Sequence, residues 1–188
     1  MNSTTFCLAS LLAGASIAVC PGYSNSQFWQ QLAKTQSTFT SIVPTICYDQ
    51  LSQQEEFSKI KTDLKINRIQ IGSAPVVPHD VQKFMQQFSI PLYQGYGQTE
   101  TALRVTGIPL DLPKDLFEKL VEENSIGKPM SWADVQTVDT QGNVLGEGKE
   151  GELTVKGLAV MKGYLENPEA NKDAFKEGLL LDAHAVTK

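Results

Sequence analysis

Short strand-like runs alternate with helical periodicity through about the first 100 residues, and that alternation constrains the fold more tightly than any other feature of the chain. After Pro21-Gly22, Ser24 and Ser26 offer N-caps to a helix in which Phe28, Trp29, Leu32 and Ala33 recur at helical spacing. Residues 39–43 read as a strand ending at Pro44, residues 45–53 as a helix, and residues 54–65 as a polar, charged stretch. Residues 66–71 alternate as a strand and run into Gly72-Ser73-Ala74-Pro75. Pro78-His79-Asp80 then opens a helix whose Val81, Phe84, Met85 and Phe88 form one apolar stripe. Residues 91–93 make a short strand that ends in a glycine-punctuated turn. Strands and helices in strict alternation predict an α/β layer with mostly parallel strands, because each crossover helix returns the chain to the same end of the sheet.

The second half follows different chemistry. One amphipathic helix is expected over 115–123, and after Gly127 come alternating runs at 133–138 and 152–156 separated by Gln141-Gly142-Asn143. This is antiparallel β patterning with turns at glycine. The expected organisation is an α/β subdomain over 1–105 and a β-rich subdomain over 106–188, with the boundary near Val105. At about 150 residues per domain, a chain of 188 residues holds one domain, or a domain and a fragment.

A formal charge of -5 and a pI near 5.1, without a block of Lys or Arg, provide no electrostatic footprint for a phosphate backbone, so nucleic acid is not an expected partner. Cys7, Cys20 and Cys47 are odd in number and lack CxxC spacing, which favours neither a disulfide framework nor a zinc site and fits a reducing cytoplasm. All three sit in apolar runs and are expected to be buried. The apolar run 6–20 has the length of a secretory core, but residues 1–5 carry no positive charge, and the run is too short to span a bilayer. The expected structure is instead a buried helix followed by a buried strand at 16–20. A secreted or lipid-anchored interaction protein would require this run to be processed. Trp132 is expected to pack the β layer, and His79 to lie at the surface where its helix begins.

Chemistry is concentrated at Gln94-Gly95-Tyr96-Gly97-Gln98-Thr99-Glu100-Thr101, where a predicted strand ends. Ligands of open α/β sheets bind outside the carboxyl ends of strands. Here two glycines allow close approach of a ligand to the backbone, Tyr96 offers a ring, Thr99 a hydroxyl, and Glu100 a carboxylate suited to a hard cation such as magnesium. On spacing alone, a capped surface loop accounts for the same residues.

YGQTET at 96–101 resembles the signature of the adenylate-forming (AMP-binding) superfamily, which includes the acyl-CoA synthetases. Gly72-Ser73-Ala74-Pro75 is similar to the family's GGAP or GSAP adenine loop. Ser125-Ile126-Gly127-Lys128-Pro129 resembles its SxGxP turn, and 151–157 with Gly163-Tyr164 resembles its GELxVxG and GY segment. Asn167-Pro168-Glu169-Ala170 followed by Phe175 resembles its NPEAT helix, so the motifs agree in order over residues 72–175. Tyr23-Ser24 with Phe28-Trp29 resembles the crotonobetaine and carnitine-CoA ligases among bacterial members.

The resemblance implies the central part of an ATP-dependent acyl-CoA synthetase acting on a small carboxylic acid, with ATP or AMP, magnesium and CoA as its ligands. It implies that Gly72, Ser73, Ala74 and Pro75 with Gln94, Gly95, Tyr96 and Gly97 hold the nucleotide, and that Thr99 meets the α-phosphate. Glu100 would hold the metal, and Gly95 and Leu103 would line the acyl pocket. Thr99 and Glu100 are the implied catalytic pair. Departures accompany these matches. The family's Ser/Thr/Gly-rich phosphate loop and its catalytic-lysine domain have no counterpart within the 188 residues. Where the family reads GWLxTGD, residues 178–184 read GLLLDAH, which puts His184 in place of the ribose-binding aspartate with Asp182 two positions earlier. Two functional classes follow: an acyl-CoA synthetase fragment inactive by itself and able to self-associate, or a degenerate nucleotide-binding or interaction module that keeps the fold without catalysis.

Overall fold

Burial of helical stripes together with a short parallel sheet organises the first part of the molecule. The computed structural model describes residues 2–102, 104–176 and 179–187, with side chains over 6–102, 104–176 and 179–181. Helix α1 (Asn2–Leu12) is followed by α2 (Phe28–Thr35), strand β1 (Phe39–Ile42), α3 (Pro44–Gln50) and α4 (Gln54–Ile60). Then come β2 (Arg68–Ile71), α5 (Pro78–Phe88) and β3 (Leu92–Gln94). The three strands lie in the order β1-β2-β3, all parallel, with Ile42 opposite Ile71 and Ile71 opposite Gln94. The predicted parallel α/β layer is therefore present.

Its core is aromatic. Trp29 from α2, Phe57 from α4, and Phe84 and Phe88 from α5 are all buried, with ring centroids 4.8 Å apart for Trp29 and Phe57 and 4.6 Å for Phe84 and Phe88. Tilted and edge-on pairs of this kind contribute about 0.5–1.5 kcal/mol each beyond area burial. Helix α4 forms within the stretch that reads as merely polar, because one buried residue, Phe57, anchors it while Lys59 pairs with Glu55 and Glu56 on the outside.

The chain then passes through β4 (Thr106–Gly107), α6 (Lys114–Glu122), β5 (Lys128–Pro129), β6 (Ala133–Val138) and β7 (Gly151–Gly157). It closes with α7 (Pro168–Ala174), β8 (Phe175–Lys176) and β9 (Leu179–Thr187). Strands β4 and β5 form an antiparallel pair, and a second antiparallel sheet runs β6-β7-β9-β8, matching the expected β-rich half. Val105, Leu153 and Val155 are buried at its centre, with Tyr96, Val135 and Val160 packed against them.

Two compact units result, one of Met1–Gly95 with Ile108–Gly127 and one of Tyr96–Gly107 with Lys128–Lys188. A single boundary near Val105 does not describe them, since the chain passes between units at 95/96, 107/108 and 127/128. Helix α6 belongs to the first unit because its Phe117 ring packs 4.8 Å from Tyr93 of β3.

The N-terminal run departs from expectation. Residues 15–20 form no strand, and the apolar side chains of α1 are largely outside, with Leu12 88% exposed. Among them, the ring of Phe6 lies against Phe39, with centroids 5.5 Å apart. Accordingly Cys20 is exposed and Cys7 half-buried, whereas Cys47 is buried as expected. Trp132 is also half-exposed rather than packed inside, its indole N–H donating to the Arg104 carbonyl at 3.2 Å. No described helix is long and apolar enough to cross a membrane.

Candidate functional site

Parallel pairing of β2 with β3 brings two glycine-containing loops side by side. Ile71 is opposite Gln94, and the next residue of each strand is glycine. A Cβ on Gly72 would stand 3.0 Å from the Gly95 carbonyl oxygen, so the close approach of the two loops requires the missing side chain. Ser73 adopts φ +67°, a left-handed conformation uncommon outside glycine. Ser73, Ala74 and Pro75 are exposed, while Val76 behind them is buried and anchors the loop. Gln94 accepts at its carbonyl from the Ile108 N–H at 3.1 Å, which fixes the end of β3.

The second unit holds the rest of the motif in a closed loop. The Tyr96 carbonyl accepts from the N–H groups of Val105 at 2.9 Å and Thr106 at 3.1 Å, and the Tyr96 N–H donates to Thr106 Oγ1 at 3.3 Å. Inside that loop Thr99–Thr101 form one turn of 3₁₀ helix. Its start is a reciprocal cap in which the Gln98 N–H donates to Thr101 Oγ1 at 3.1 Å and the Gln98 side chain accepts from the Thr101 backbone. Thr101 is fully buried, which sets the orientation of the turn and leaves Thr99 outside and Glu100 half-buried. The capped-loop account of these residues is thus realised: Thr101 caps, with Thr99 exposed and Glu100 half-buried beside it. The Gln98 side-chain nitrogen is buried and has no hydrogen-bond partner among the described residues.

Glu100 is held at two points. Its carbonyl accepts from the Met161 N–H at 2.7 Å, and its Oε1 accepts from the Tyr164 hydroxyl at 2.8 Å. This carboxylate raises the pKa of the Tyr164 phenol, because removing the shared proton would place two negative oxygens together. Among the described residues no group of three or more His, Cys, Asp or Glu could cage a metal ion. One carboxylate nevertheless fits the way magnesium is usually held, by one or two carboxylates together with substrate phosphates and water.

Two features escape a reading of the sequence. Gly163-Tyr164 is visible as a motif, but nothing in the spacing reveals that it meets Glu100, 64 residues away. Arg104 carries no signal at all, yet its Nε and Nη2 are buried without partners among the described residues, and burial pushes its pKa down. Leu103 lies outside the described residues, and so do the side chains of Asp182 and His184. The backbone of both is in β9, whose register against β7 breaks between Asp182 and Val186, with His184 inside the break.

Comparisons with known proteins agree with the motifs. The family of AMP-binding enzymes matches residues 1–165. The chain is 32% identical over 174 residues to a probable CoA ligase, CCL9, of Humulus lupulus, covering 91% of this chain and 32% of that protein. It is likewise 32% identical over 186 residues to a long-chain-fatty-acid–CoA ligase of Yersinia pestis, covering 98% of this chain and 31% of that one. It thus spans about a third of the length of these relatives. The N-terminal domain of FACL13 from Mycobacterium tuberculosis superimposes with a TM-score of 0.79 at 21% identity, over 97% of this chain and 44% of that one. Amide bond synthetase McbA from Marinactinospora thermotolerans gives 0.79 at 21% identity, over 95% of this chain and 35% of that one. These structures establish the fold, and the family match over residues 1–165 with its ordered motifs places the chain in the adenylate-forming family of AMP-binding enzymes.

Proposed function

We propose that these 188 residues are the central part of an ATP-dependent acyl-CoA synthetase, in which a small carboxylic acid is activated as acyl-AMP and then transferred to CoA. The observation that carries this reading is the presentation of Glu100 beside the exposed Thr99 just beyond β3, with the carboxylate fixed by Tyr164. Attack of a carboxylate on an α-phosphate brings two anions together, and the reaction needs positive charge and hydrogen-bond donors where they meet. Thr99 would donate its hydroxyl to the α-phosphate, and Glu100 would hold magnesium against the phosphate oxygens. Bound there, magnesium would supply positive charge to offset the repulsion.

In this reading the backbone of Gly72, Ser73, Ala74, Pro75, Gln94, Gly95 and Gly97 and the ring of Tyr96 serve the adenine, and Gly95 and Leu103 the acyl group. Asp182 or His184 would meet the ribose. A neutral imidazole has one acceptor where a carboxylate can serve both hydroxyls of a diol, so Asp182 is the better suited of the two. The resemblance to crotonobetaine and carnitine-CoA ligases rests on packing residues. The Tyr23 hydroxyl donates to Asp49 at 3.2 Å, and Phe28 and Trp29 are buried, so these positions bear on the fold and leave the acyl group open. A role in fatty-acid metabolism and a cytoplasmic location belong to the same proposal.

Calorimetry with AMP tests the nucleotide half. The Tyr96→Ala variant is expected to bind AMP about 5- to 150-fold more weakly, by loss of a stacking contact of about 1–3 kcal/mol. Unchanged binding would place the adenine elsewhere. No AMP binding by the unaltered chain would favour the degenerate interaction module.

A further inference from the structure

We propose that Tyr164 is a positioning residue for Glu100, through a clasp running from α7 to the motif loop. This rests on the reading of Glu100 as the metal-holding carboxylate. A glutamate side chain is among those that lose most rotamer freedom when fixed, and a half-buried carboxylate on a single 3₁₀ turn has little packing of its own to fix it. The structure supplies the constraint from the opposite segment. The Met161 N–H donates to the Glu100 carbonyl at 2.7 Å, and the Tyr164 hydroxyl donates to Oε1 at 2.8 Å. Backbone and carboxylate of one residue are thereby tied to the four residues 161–164, leaving Oε2 for a cation.

That segment is itself held. Asn167 caps α7 by accepting from the Ala170 N–H at 3.2 Å. One turn later Asn171 brackets Tyr164, accepting from its N–H at 2.6 Å and donating from Nδ2 to its carbonyl at 2.8 Å. The tight bracket is possible because residue 163 is glycine: its φ is +145°, and a Cβ there would stand 2.8 Å from Asn171 Oδ1. Asn171 occupies the last position of the NPEAT-like motif, where threonine is the family's residue; a single threonine hydroxyl oxygen cannot take the place of an amide whose separate oxygen and nitrogen engage the N–H and the carbonyl of one residue. An incidental surface hydrogen bond would not need this support, and Tyr164 is 36% exposed with little packing role to explain its fixation.

The test uses the 188-residue chain with manganese as the probe cation and ATP, binding being followed by manganese electron paramagnetic resonance, alongside calorimetry with metal-free AMP. Tyr164→Phe keeps the ring and removes the donor. It is expected to weaken manganese-dependent ATP binding about tenfold, the scale of one hydrogen bond to a charged group, with metal-free AMP affinity and thermal midpoint unchanged. Asn171→Ala should produce the same selective loss, and Tyr164→Phe combined with Glu100→Gln should be no worse than Glu100→Gln alone. If Glu100→Gln abolishes metal-dependent binding while Tyr164→Phe matches the unaltered chain, the role of Tyr164 is overturned and the metal reading stands. If Tyr164→Phe weakens AMP and manganese–ATP alike, Tyr164 is structural only and the proposal is overturned. If Glu100→Gln changes nothing, or the unaltered chain has no metal-dependent binding, the reading of Glu100 is overturned together with the clasp.

Discussion

Single residues in this chain differ sharply in what burial does to them. Cys47 is buried on α3 near the Asp80 carbonyl, and desolvation pushes its thiol up to about 12, so it behaves as a small apolar residue. Arg104 presents the opposite case, a charge whose Nε and Nη2 are removed from water with no acceptor among the described residues to compensate. Leaving buried donors unsatisfied costs about 1–3 kcal/mol. Arg104→Met keeps most of the aliphatic stem and deletes the charge, so it is expected to raise stability by about 1–3 kcal/mol, measured by urea denaturation with an unchanged slope. A loss of stability would mean that the guanidinium has an acceptor. Nothing in the sequence singles out Arg104, because its surroundings are set by Gly107 and Met130: a Cβ on Gly107 would lie 2.9 Å from the Met130 Cε and 3.2 Å from the Arg104 Cζ. Such juxtapositions come from pairing of β4 with β5, which a linear pattern does not encode.

At the scale of elements, the connection from β6 to β7 turns on one carboxylate. Asp139 accepts from the Asn143 side chain at 2.9 Å and from the N–H groups of Asn143 at 2.8 Å and Gln141 at 2.9 Å. These donors, the Asn143 amide first, hold its pKa below the usual carboxylate range. A folded-state pKa below the unfolded one contributes stability that is present above the ordinary carboxylate pKa and lost as pH falls through the lowered value. Asp139→Asn is therefore expected to flatten the acid limb of a plot of melting temperature against pH, by a small amount because the group is exposed. Patterns local in sequence were legible at this scale: β6 spans Ala133–Val138 as its alternation predicts, and α5 buries Val81, Phe84 and Phe88 as its stripe requires. Helix α4 was not legible, since its burial depends on Phe57 meeting Trp29 and Phe88, residues distant in the chain. Residues 15–20 misled for a related reason: apolar composition states what can be buried, and only tertiary packing provides the surface that buries it. In the candidate site the motif singles out Thr99 and Glu100 by residue type alone, whereas the hold on Glu100 by Tyr164 requires the fold.

For the whole molecule, the decisive quantities are exposed apolar area and the chemistry available within one chain. Leu8, Leu11 and Leu12 on α1, with Val19 beyond it, are each more than half exposed, and apolar side chains left in water favour association. Sedimentation of the 188-residue chain should therefore be concentration dependent, and Leu11→Glu should shift it toward monomer. The chain spans 32% of the CCL9 ligase and carries, within its own residues, no Ser/Thr/Gly-rich loop ending in lysine upstream of β2. Thr99 and Glu100 would act on the α-phosphate, but the β- and γ-phosphates of ATP leave as an anion that needs its own cationic support. Preorganised charge of this sort is commonly the largest contribution to rate, and one missing donor costs about 100- to 1,000-fold. Pyrophosphate exchange dependent on a carboxylic acid is accordingly expected to be undetectable for these 188 residues, even if AMP binds. The measurement compares exchange of labelled pyrophosphate into ATP with that of the Glu100→Ala variant. Exchange that exceeds a heat-inactivated control and vanishes in Glu100→Ala would mean that this part of the fold suffices for adenylation, with Thr99, Glu100 and Tyr164 supplying what the phosphate loop was thought to provide.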